Sequence, residues 1–89
     1  MKVKFYGYLK ELAGKSEDEV EFSKALGLIE LFDLLSPRIK EVCIMNDGKR
    51  FNPYIKVFKN GVEVQSMDYS HTEVRDGDVI QLLPPIGGG

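Results

Sequence analysis

The amino-acid sequence predicts an α+β fold in which a mixed β-sheet packs on one main helix. Polar and apolar residues alternate with period two near both ends of the chain, which predicts strands. An apolar stripe with helical spacing between them predicts the helix. Two strands, a helix that crosses over and then further strands favour a mixed sheet with the helix on one face. With 89 residues, the chain is expected to form one domain.

The first two strands are predicted over residues 2–9 and 17–22. In residues 17–22, Val20 and Phe22 would point inward. Alternation along residues 2–9 assigns side chains to opposite faces of the sheet. One face would hold Val3, Phe5, Gly7 and Leu9, and the other would hold Lys2, Lys4, Tyr6 and Tyr8.

The helix is predicted over residues 26–35, because Leu28, Phe32 and Leu35 recur at helical spacing. Ser23 or Gly27 could cap its start. Ser36 and Pro37 would end it and open a short second helix, since proline suits the first position of a helix.

Turn signals divide the second half of the chain into strands. The pair Asn60-Gly61 predicts a hairpin between strands at 54–59 and 62–64, and turns are expected at 46–49 and 75–78. The last strand is predicted over residues 79–83, with Ile80 and Leu82 facing the core.

Composition excludes several classes of function. Twelve Lys and Arg against fourteen Asp and Glu give a net charge of −2, which argues against a nucleic-acid partner. No apolar run approaches the roughly 20 residues of a membrane span, and no signal peptide is evident, so we expect a cytoplasmic protein without a membrane partner. A single cysteine, Cys43, is expected in the core, and His71 in a solvated loop. Neither predicts a catalytic side chain or a metal site.

The final six residues, 84–89, are distinctive because they hold two of the four prolines and three of the nine glycines. We expect residues 1–83 to form the folded domain and residues 84–89 to form a flexible tail. Extended, the tail would reach roughly 20 Å. Glycines without side chains could enter a narrow channel and present a terminal carboxylate to a reacting centre.

Together, the alternating first strand, the crossover helix, the Asn60-Gly61 hairpin, the turn at 75–78 and the sequence Pro-Pro-Ile-Gly-Gly-Gly resemble the ubiquitin-like sulfur carriers. The resemblance is to the MoaD-like small subunit of molybdopterin synthase and to the related ThiS-like carrier of the thiamine pathway. It covers essentially the whole chain and implies a β-grasp fold.

This resemblance implies chemistry at the main-chain carboxylate of Gly89, which with Gly88 matches the family's reactive end. An adenylating activating enzyme would use ATP with magnesium, and a sulfur donor would convert the adenylate to a thiocarboxylate. The large subunit of molybdopterin synthase would then pass the sulfur to a pterin precursor. The chain itself would bind no cofactor.

A docking face is expected beside the tail. If Val3, Phe5, Ile80 and Leu82 pack on the helix, strand parity sends Tyr6, Tyr8, Val79 and Leu83 to the other face of the sheet. Phe58 shares that outward direction if Ile55 and Val57 face the core. Exposed apolar side chains in one patch usually mark a partner surface. The alternative is that residues 65–75 cover this patch. The predicted partner-binding residues are Tyr6, Tyr8, Phe58, Leu83, Pro84, Pro85, Ile86 and Gly87.

Three other functions stay open from the sequence. The chain could be a thiamine-pathway sulfur carrier or a protein modifier that is conjugated to lysines through Gly89. It could also be a β-grasp binding module with an inert tail.

Overall fold

The computed structural model describes residues 1–45 and 50–85. The turn predicted at 46–49 lies outside these residues. In chain order, the elements are β1 (Lys2–Phe5), α1 (Tyr8–Ala13), β2 (Glu17–Glu19), β3 (Leu26–Gly27), α2 (Leu28–Leu31), a 3₁₀ helix (Phe32–Leu34), α3 (Pro37–Cys43), β4 (Lys56–Lys59), β5 (Val62–Val64), a second 3₁₀ helix (Ser66–His71), β6 (Glu73–Val74) and β7 (Val79–Leu83).

The main sheet has five strands in the order β2-β1-β7-β4-β5. At its centre β1 and β7 run parallel, whereas the other neighbouring pairs are antiparallel, so the sheet is mixed as predicted. The register places Leu82 of β7 beside Phe5 of β1 and Val57 of β4. A separate two-stranded pairing joins β3 to β6.

One hydrophobic core lies between the inner face of the sheet and the helices. Phe32 is fully buried, and its ring meets that of Phe51 edge to face, with 5.1 Å between ring centroids. Phe51 makes a similar contact with Tyr69 at 4.6 Å. Phe22, which the sequence pointed inward, is half-buried against the core. The other residues that the sequence assigned to the core are buried, namely Val3, Phe5, Val20, Leu28, Phe32, Ile55, Val57, Ile80 and Leu82.

The helical layer differs from the single helix expected at residues 26–35. The apolar stripe is buried as predicted, but the α-helix covers only Leu28–Leu31 and continues as the 3₁₀ helix. Ser36 precedes Pro37 and is extended, because proline disfavours the helical conformation in the residue before it. The Ser36 hydroxyl then accepts a hydrogen bond from the Arg38 N–H at 3.3 Å, and the predicted second helix, α3, begins at Pro37.

The strand predicted over residues 2–9 is too long. It ends at Phe5, and Gly7 reverses the chain with a φ of +57° before α1 begins at Tyr8. Leu9 is buried as expected, but on the helix rather than on a strand. The physical reason is that Leu9, Leu12 and Ala13 also have helical spacing and pack against the core as one helical face.

Of the other strands, β5 and β7 have the predicted bounds, and two are shorter than predicted. The strand predicted at 17–22 is ordered as a strand only over Glu17–Glu19, and the one predicted at 54–59 begins at Lys56. Asn60 and Gly61 both have positive φ, so the hairpin turn is confirmed. In the turn at 75–78, the Asp78 N–H donates to the Arg75 carbonyl at 3.1 Å. Across the described residues, no helix is long and apolar enough to cross a membrane.

Candidate functional site

Alternate side chains of the central strand β7 point into the core and away from it. Ile80 and Leu82 are fully buried, and Gln81 between them points away from the core. The register places Lys4 of β1 on one side of Gln81 and Phe58 of β4 on the other. Two residues further along β7, on the same face, Leu83 pairs with Lys56. We call the surface formed by Lys4, Tyr6, Lys56, Phe58, Gln81 and Leu83 the outward face.

Tyr6 is held at the end of this face by two hydrogen bonds to β7. Its N–H donates to the Leu82 carbonyl at 3.2 Å, which extends the parallel pairing by one residue beyond β1. Its hydroxyl accepts a hydrogen bond from the Gln81 side-chain amide at 2.8 Å. The side chain remains 39% exposed, so a partly apolar ring is available beside the last strand.

The predicted partner-binding residues are only partly brought together. Tyr6, Phe58, Leu83 and Pro84 lie on or beside the outward face, with Phe58, Leu83 and Pro84 half-buried, and Pro85 is exposed. Tyr8 is also exposed, but the parity that placed it on the sheet is wrong because it begins α1. The remaining predicted residues, Ile86, Gly87, Gly88 and Gly89, lie outside the described residues.

Residues 65–75 do not cover the outward face. The second 3₁₀ helix packs against α2, and the hydroxyl of the buried Tyr69 donates to the Ile55 carbonyl at 2.8 Å. The strand that follows, β6, pairs with β3 just before α2. The segment therefore lies on the helical side of the sheet, and the alternative in which it covers the docking face is wrong.

The outward face carries positive charge between its apolar side chains. Lys4 and Lys56 lie on it, and Lys2 on the same side of β1 pairs with Glu17 at 3.5 Å. An open groove of about 310 Å³ begins at this edge, with Lys4, Tyr6, Gly7 and Lys10 in its wall. Carboxylates lie on the same face of the neighbouring strands, with Glu17 opposite Lys4 and Glu63 opposite Phe58, so the charges of this surface are mixed. The long lysine stems add apolar area around their charged tips and so extend the apolar patch.

The side chains that could act as nucleophiles are placed for structure. Cys43 is fully buried, as predicted, and burial raises the pKa of its thiol to about 12. His71 is exposed at the end of the second 3₁₀ helix. Within residues 1–45 and 50–85, no three His, Cys, Asp or Glu side chains are grouped to hold a metal ion. The described surface thus offers a docking face more clearly than a catalytic centre.

One feature at the start of the tail was missed from the sequence. Gly7 lies directly against Pro84: a Cβ added at Gly7 would stand 2.8 Å from the Pro84 Cγ atom. The two residues are far apart in the chain, and only the pairing of β1 with β7 brings them together. The isolated glycine between Tyr6 and Tyr8 was the available signal, because a glycine in a strand pattern indicates a close approach.

Comparison with known proteins shows what the chain is similar to. A family model described as the ThiS family matches residues 3–89. Small archaeal modifier protein 3 of Haloferax volcanii is 29% identical over 96 aligned positions, which cover all of this chain and 98% of that protein. A candidate sulfur carrier protein of Archaeoglobus fulgidus is 32% identical over 76 positions, or 85% of each chain.

Solved structures show the same fold. The crystal structure of SAMP1 from Haloferax volcanii superposes with a TM-score of 0.81 over 99% of this chain and 97% of that one, at 23% identity. A candidate molybdopterin converting factor subunit 1 from Pyrococcus furiosus has a TM-score of 0.67 and 26% identity, covering 96% and 95% of the two chains. The ubiquitin-like β-grasp fold implied by the tail and hairpin motifs is therefore confirmed.

Proposed function

Because this chain belongs to the ThiS family, we propose that it carries sulfur as a thiocarboxylate on the C-terminal carboxyl group of Gly89. The observation that carries the proposal is that the family match continues through residue 89, and so includes the tail as well as the folded domain. A relative named as a sulfur carrier and one named as a modifier support it.

Activation would proceed in two steps at the main chain. A carboxylate oxygen of Gly89 attacks the α-phosphorus of ATP, held with magnesium by an activating enzyme, and pyrophosphate leaves. A hydrosulfide equivalent from a sulfur donor then attacks the acyl carbon, and AMP leaves with the original oxygen. The adenylate is needed because a free carboxylate is a poor electrophile, whereas AMP is a good leaving group.

The chain's own contribution is to dock and to present the tail. The tail continues from β7, the central strand, which is paired on both sides and so gives its starting point a fixed place. The outward face lies on one side of that starting point, with Leu83 next to it. We assign docking on the activating enzyme, and later on a sulfur-receiving subunit, to Tyr6, Phe58, Leu83, Pro84 and Pro85, with Tyr8 at the border and Ile86 to Gly88 entering the partner's channel.

For the acceptor, we favour the pterin precursor of molybdopterin, with the large subunit of molybdopterin synthase as the receiving partner. The Pro84-Pro85 pair favours this branch over the thiamine branch, and the similarity to the Pyrococcus furiosus protein is consistent with it. Addition of the chain to extracts that lack either carrier tests the choice. Recovery of molybdopterin synthesis is expected, and recovery of thiamine synthesis alone would contradict it.

A second candidate function is conjugation to other proteins. It is favoured by the whole-length similarity to small archaeal modifier protein 3. The same Gly89 adenylate would be attacked by a lysine amine instead of a sulfur nucleophile, giving an isopeptide bond and releasing AMP. Products of higher mass that resist reduction would identify this outcome, whereas a free chain bearing sulfur identifies the carrier.

The test of the carrier function is modification of the intact protein by an activating enzyme, ATP and a sulfur donor. Mass alone is ambiguous, because replacement of oxygen by sulfur adds nearly the same mass as oxidation of a methionine, and Met67 is 81% exposed. Native treatment with iodoacetamide removes the ambiguity. It alkylates a thiocarboxylate, whereas the chain's one thiol, Cys43, is buried and poorly ionised.

We expect one alkyl group per chain, only when ATP is present, and located by fragmentation at Gly89. A Cys43→Ala variant should label equally. Deletion of Gly89, or addition of one residue after it, should abolish labelling. Persistence of labelling after deletion, or its absence with every activating enzyme tried, would overturn the proposed function.

A further inference from the structure

We propose that Gly7 is a positioning residue for the tail: the space left by its missing side chain receives Pro84 and thereby sets the direction in which the tail leaves the sheet. The inference rests on the proposed function at Gly89 and adds to it a residue more than seventy positions away in the sequence. It rests on the hydrogen bonds that hold Gly7 in place and on the short distance from Gly7 to the Pro84 ring.

Gly7 is fixed by hydrogen bonds on both sides. Before it, the Tyr6 N–H donates to the Leu82 carbonyl at 3.2 Å. After it, the Lys10 N–H donates to the Gly7 carbonyl at 3.1 Å, and the Leu9 N–H donates to the Tyr6 carbonyl at the same distance. Leu9 is fully buried and anchors α1. Displacement of Gly7 would therefore disturb either the end of the parallel pairing or the first turn of α1.

The contact with Pro84 leaves no room for a side chain. A Cβ at Gly7 would lie 2.8 Å from the Pro84 Cγ atom and 3.4 Å from its Cδ atom. The shorter distance is well inside ordinary contact of about 3.5–4.0 Å between carbon atoms. The proline ring is closed on its own backbone, so a change of ring pucker gives Cγ only a small movement, unlike the end of a flexible chain. With Gly7 held, relief must come from movement of Pro84.

Movement at Pro84 would be passed along the tail. Proline fixes its own φ, and it also restricts the residue before it to extended conformations. Leu83 and Pro84 each precede a proline, so the direction set at Pro84 is continued through Pro85. The five residues that follow Pro84 could reach roughly 16 Å when extended. A small displacement of Pro84 would thus become a larger displacement of the carboxyl group at the end of the tail.

The first test is the Gly7→Ala variant, made both in the otherwise unaltered chain and in a chain that carries Pro84→Ala. In the unaltered chain, we expect kcat of thiocarboxylate formation to fall about tenfold with a much smaller change in KM for the carrier, because the outward face remains and the movement begins only at Pro84. In the Pro84→Ala chain, where Cγ is absent, Gly7→Ala should change kcat by less than about twofold. Equal losses in the two backgrounds, or no loss in either, would overturn the inference.

Backbone strain needs its own control, because Gly7 has a φ of +57° and any alanine there is strained. Its ψ of −139° completes a conformation that is nearly confined to glycine, and the strain of an alanine there is the same in both Gly7→Ala chains, so their difference reports the contact. Gly14, at the other end of α1, has φ +75° and ψ 12°, the left-handed helical region, and a Cβ there would meet nothing within 4 Å. It therefore controls for an alanine at positive φ without a contact. Gly14→Ala should lower the melting temperature and leave kcat unchanged. A loss of kcat in Gly14→Ala equal to that in Gly7→Ala would attribute the effect to strain and reject the role of the contact.

Two measurements decide the inference without activation of the chain. Nuclear Overhauser effects between the Gly7 α-protons and the Pro84 ring protons are expected in the unaltered protein, and their absence would overturn it even if Gly7→Ala fails to fold. Gly7→Ala should also lower the melting temperature about 5 °C more in the unaltered chain than in the Pro84→Ala chain. If wild-type protein is never thiocarboxylated while these two results hold, the proposed function fails and the contact stands.

Discussion

The two faces of the sheet around the central strand β7 differ in burial. Ile80 and Leu82 are fully buried, and their neighbours Val3 and Phe5 on β1 are at most 3% exposed. On the other side of the same strands, Tyr6 is 39% exposed, and Lys4, Gln81 and Phe58 lie side by side. The inner face is constrained by close packing, whereas the outer face is constrained mainly by the strand register.

We expect this difference to separate effects on stability from effects on partner binding within one sheet. A change on the inner face alters core volume and is expected to act on the free energy of unfolding. A change on the outward face leaves the core intact and is expected to act on partner binding. The tail follows directly on this strand, since Leu82 is buried, Leu83 belongs to the outward face and Pro84 comes next.

The largest effect that would test this comparison is truncation of a core aromatic ring. Phe32→Ala should lower the free energy of unfolding by about 3–5 kcal/mol, because the ring is fully buried and packs on Phe51. Phe58→Ala, its match on the outward face, should cost only about 1 kcal/mol. Urea unfolding of the two variants measures both. Similar losses would show that the two faces do not differ in their contribution to stability.

A smaller effect is expected at alkaline pH, from the helical side of the core. Burial raises the pKa of Cys43 from 9.0 to about 12 and also raises the pKa of Tyr69. The folded chain therefore holds these protons more tightly than the unfolded chain does. Their contribution to stability is fully present below pH 9 and is lost as pH rises toward 12.

Urea unfolding at a series of pH values above neutrality checks this expectation. Stability should fall above pH 9 in the wild-type protein, and the fall should be shallower in Cys43→Ala, whatever that variant's stability at neutral pH. An identical pH slope in the two proteins would show that the thiol does not ionise on unfolding in this range.

Prediction from sequence succeeded where one pattern was bounded on both sides. The last strand was predicted to its end residues, because alternation over Val79–Leu83 lies between a turn and Pro84. The strand predicted over residues 2–9 was too long because Leu9 fits both a period of two and a helical face with Leu12 and Ala13. Only the observed φ of Gly7 resolves this ambiguity. The apolar stripe also did not indicate that α2 would end at Leu31 and continue as a 3₁₀ helix.

The sequence predicted several residues of the candidate site but not the contacts between them. Parity along single strands was enough to place Phe58 and Leu83 outward. The hydrogen bond from Gln81 to Tyr6 and the contact of Gly7 with Pro84 depend on the parallel register of β1 and β7, which joins residues about 75 positions apart. Single-sequence patterns report neighbours along an element, so contacts between distant elements require the structure. The reactive residues Gly88 and Gly89 remain predictions.

The smallest effect on stability, and the sharpest test of the comparison, is a charge placed on the outward face. Leu83→Arg and Tyr6→Arg should each change the free energy of unfolding by less than about 1 kcal/mol, because both side chains lie outside the core. Each should weaken binding to the activating enzyme by about tenfold, since an apolar anchor is replaced by a charge beside Lys4 and Lys56.

Met67→Arg provides the matched control. Met67 is 81% exposed on the second 3₁₀ helix, which packs on α2 away from the outward face, so the same added charge should leave binding unchanged. Calorimetric titration against the activating enzyme, with urea unfolding of each variant, measures both quantities. A loss of stability in Leu83→Arg as large as that in Phe32→Ala would place Leu83 in the core. Equal binding by all three arginine variants would mean that the partner docks elsewhere, and that Leu83 and Tyr6 are exposed without a role in recognition.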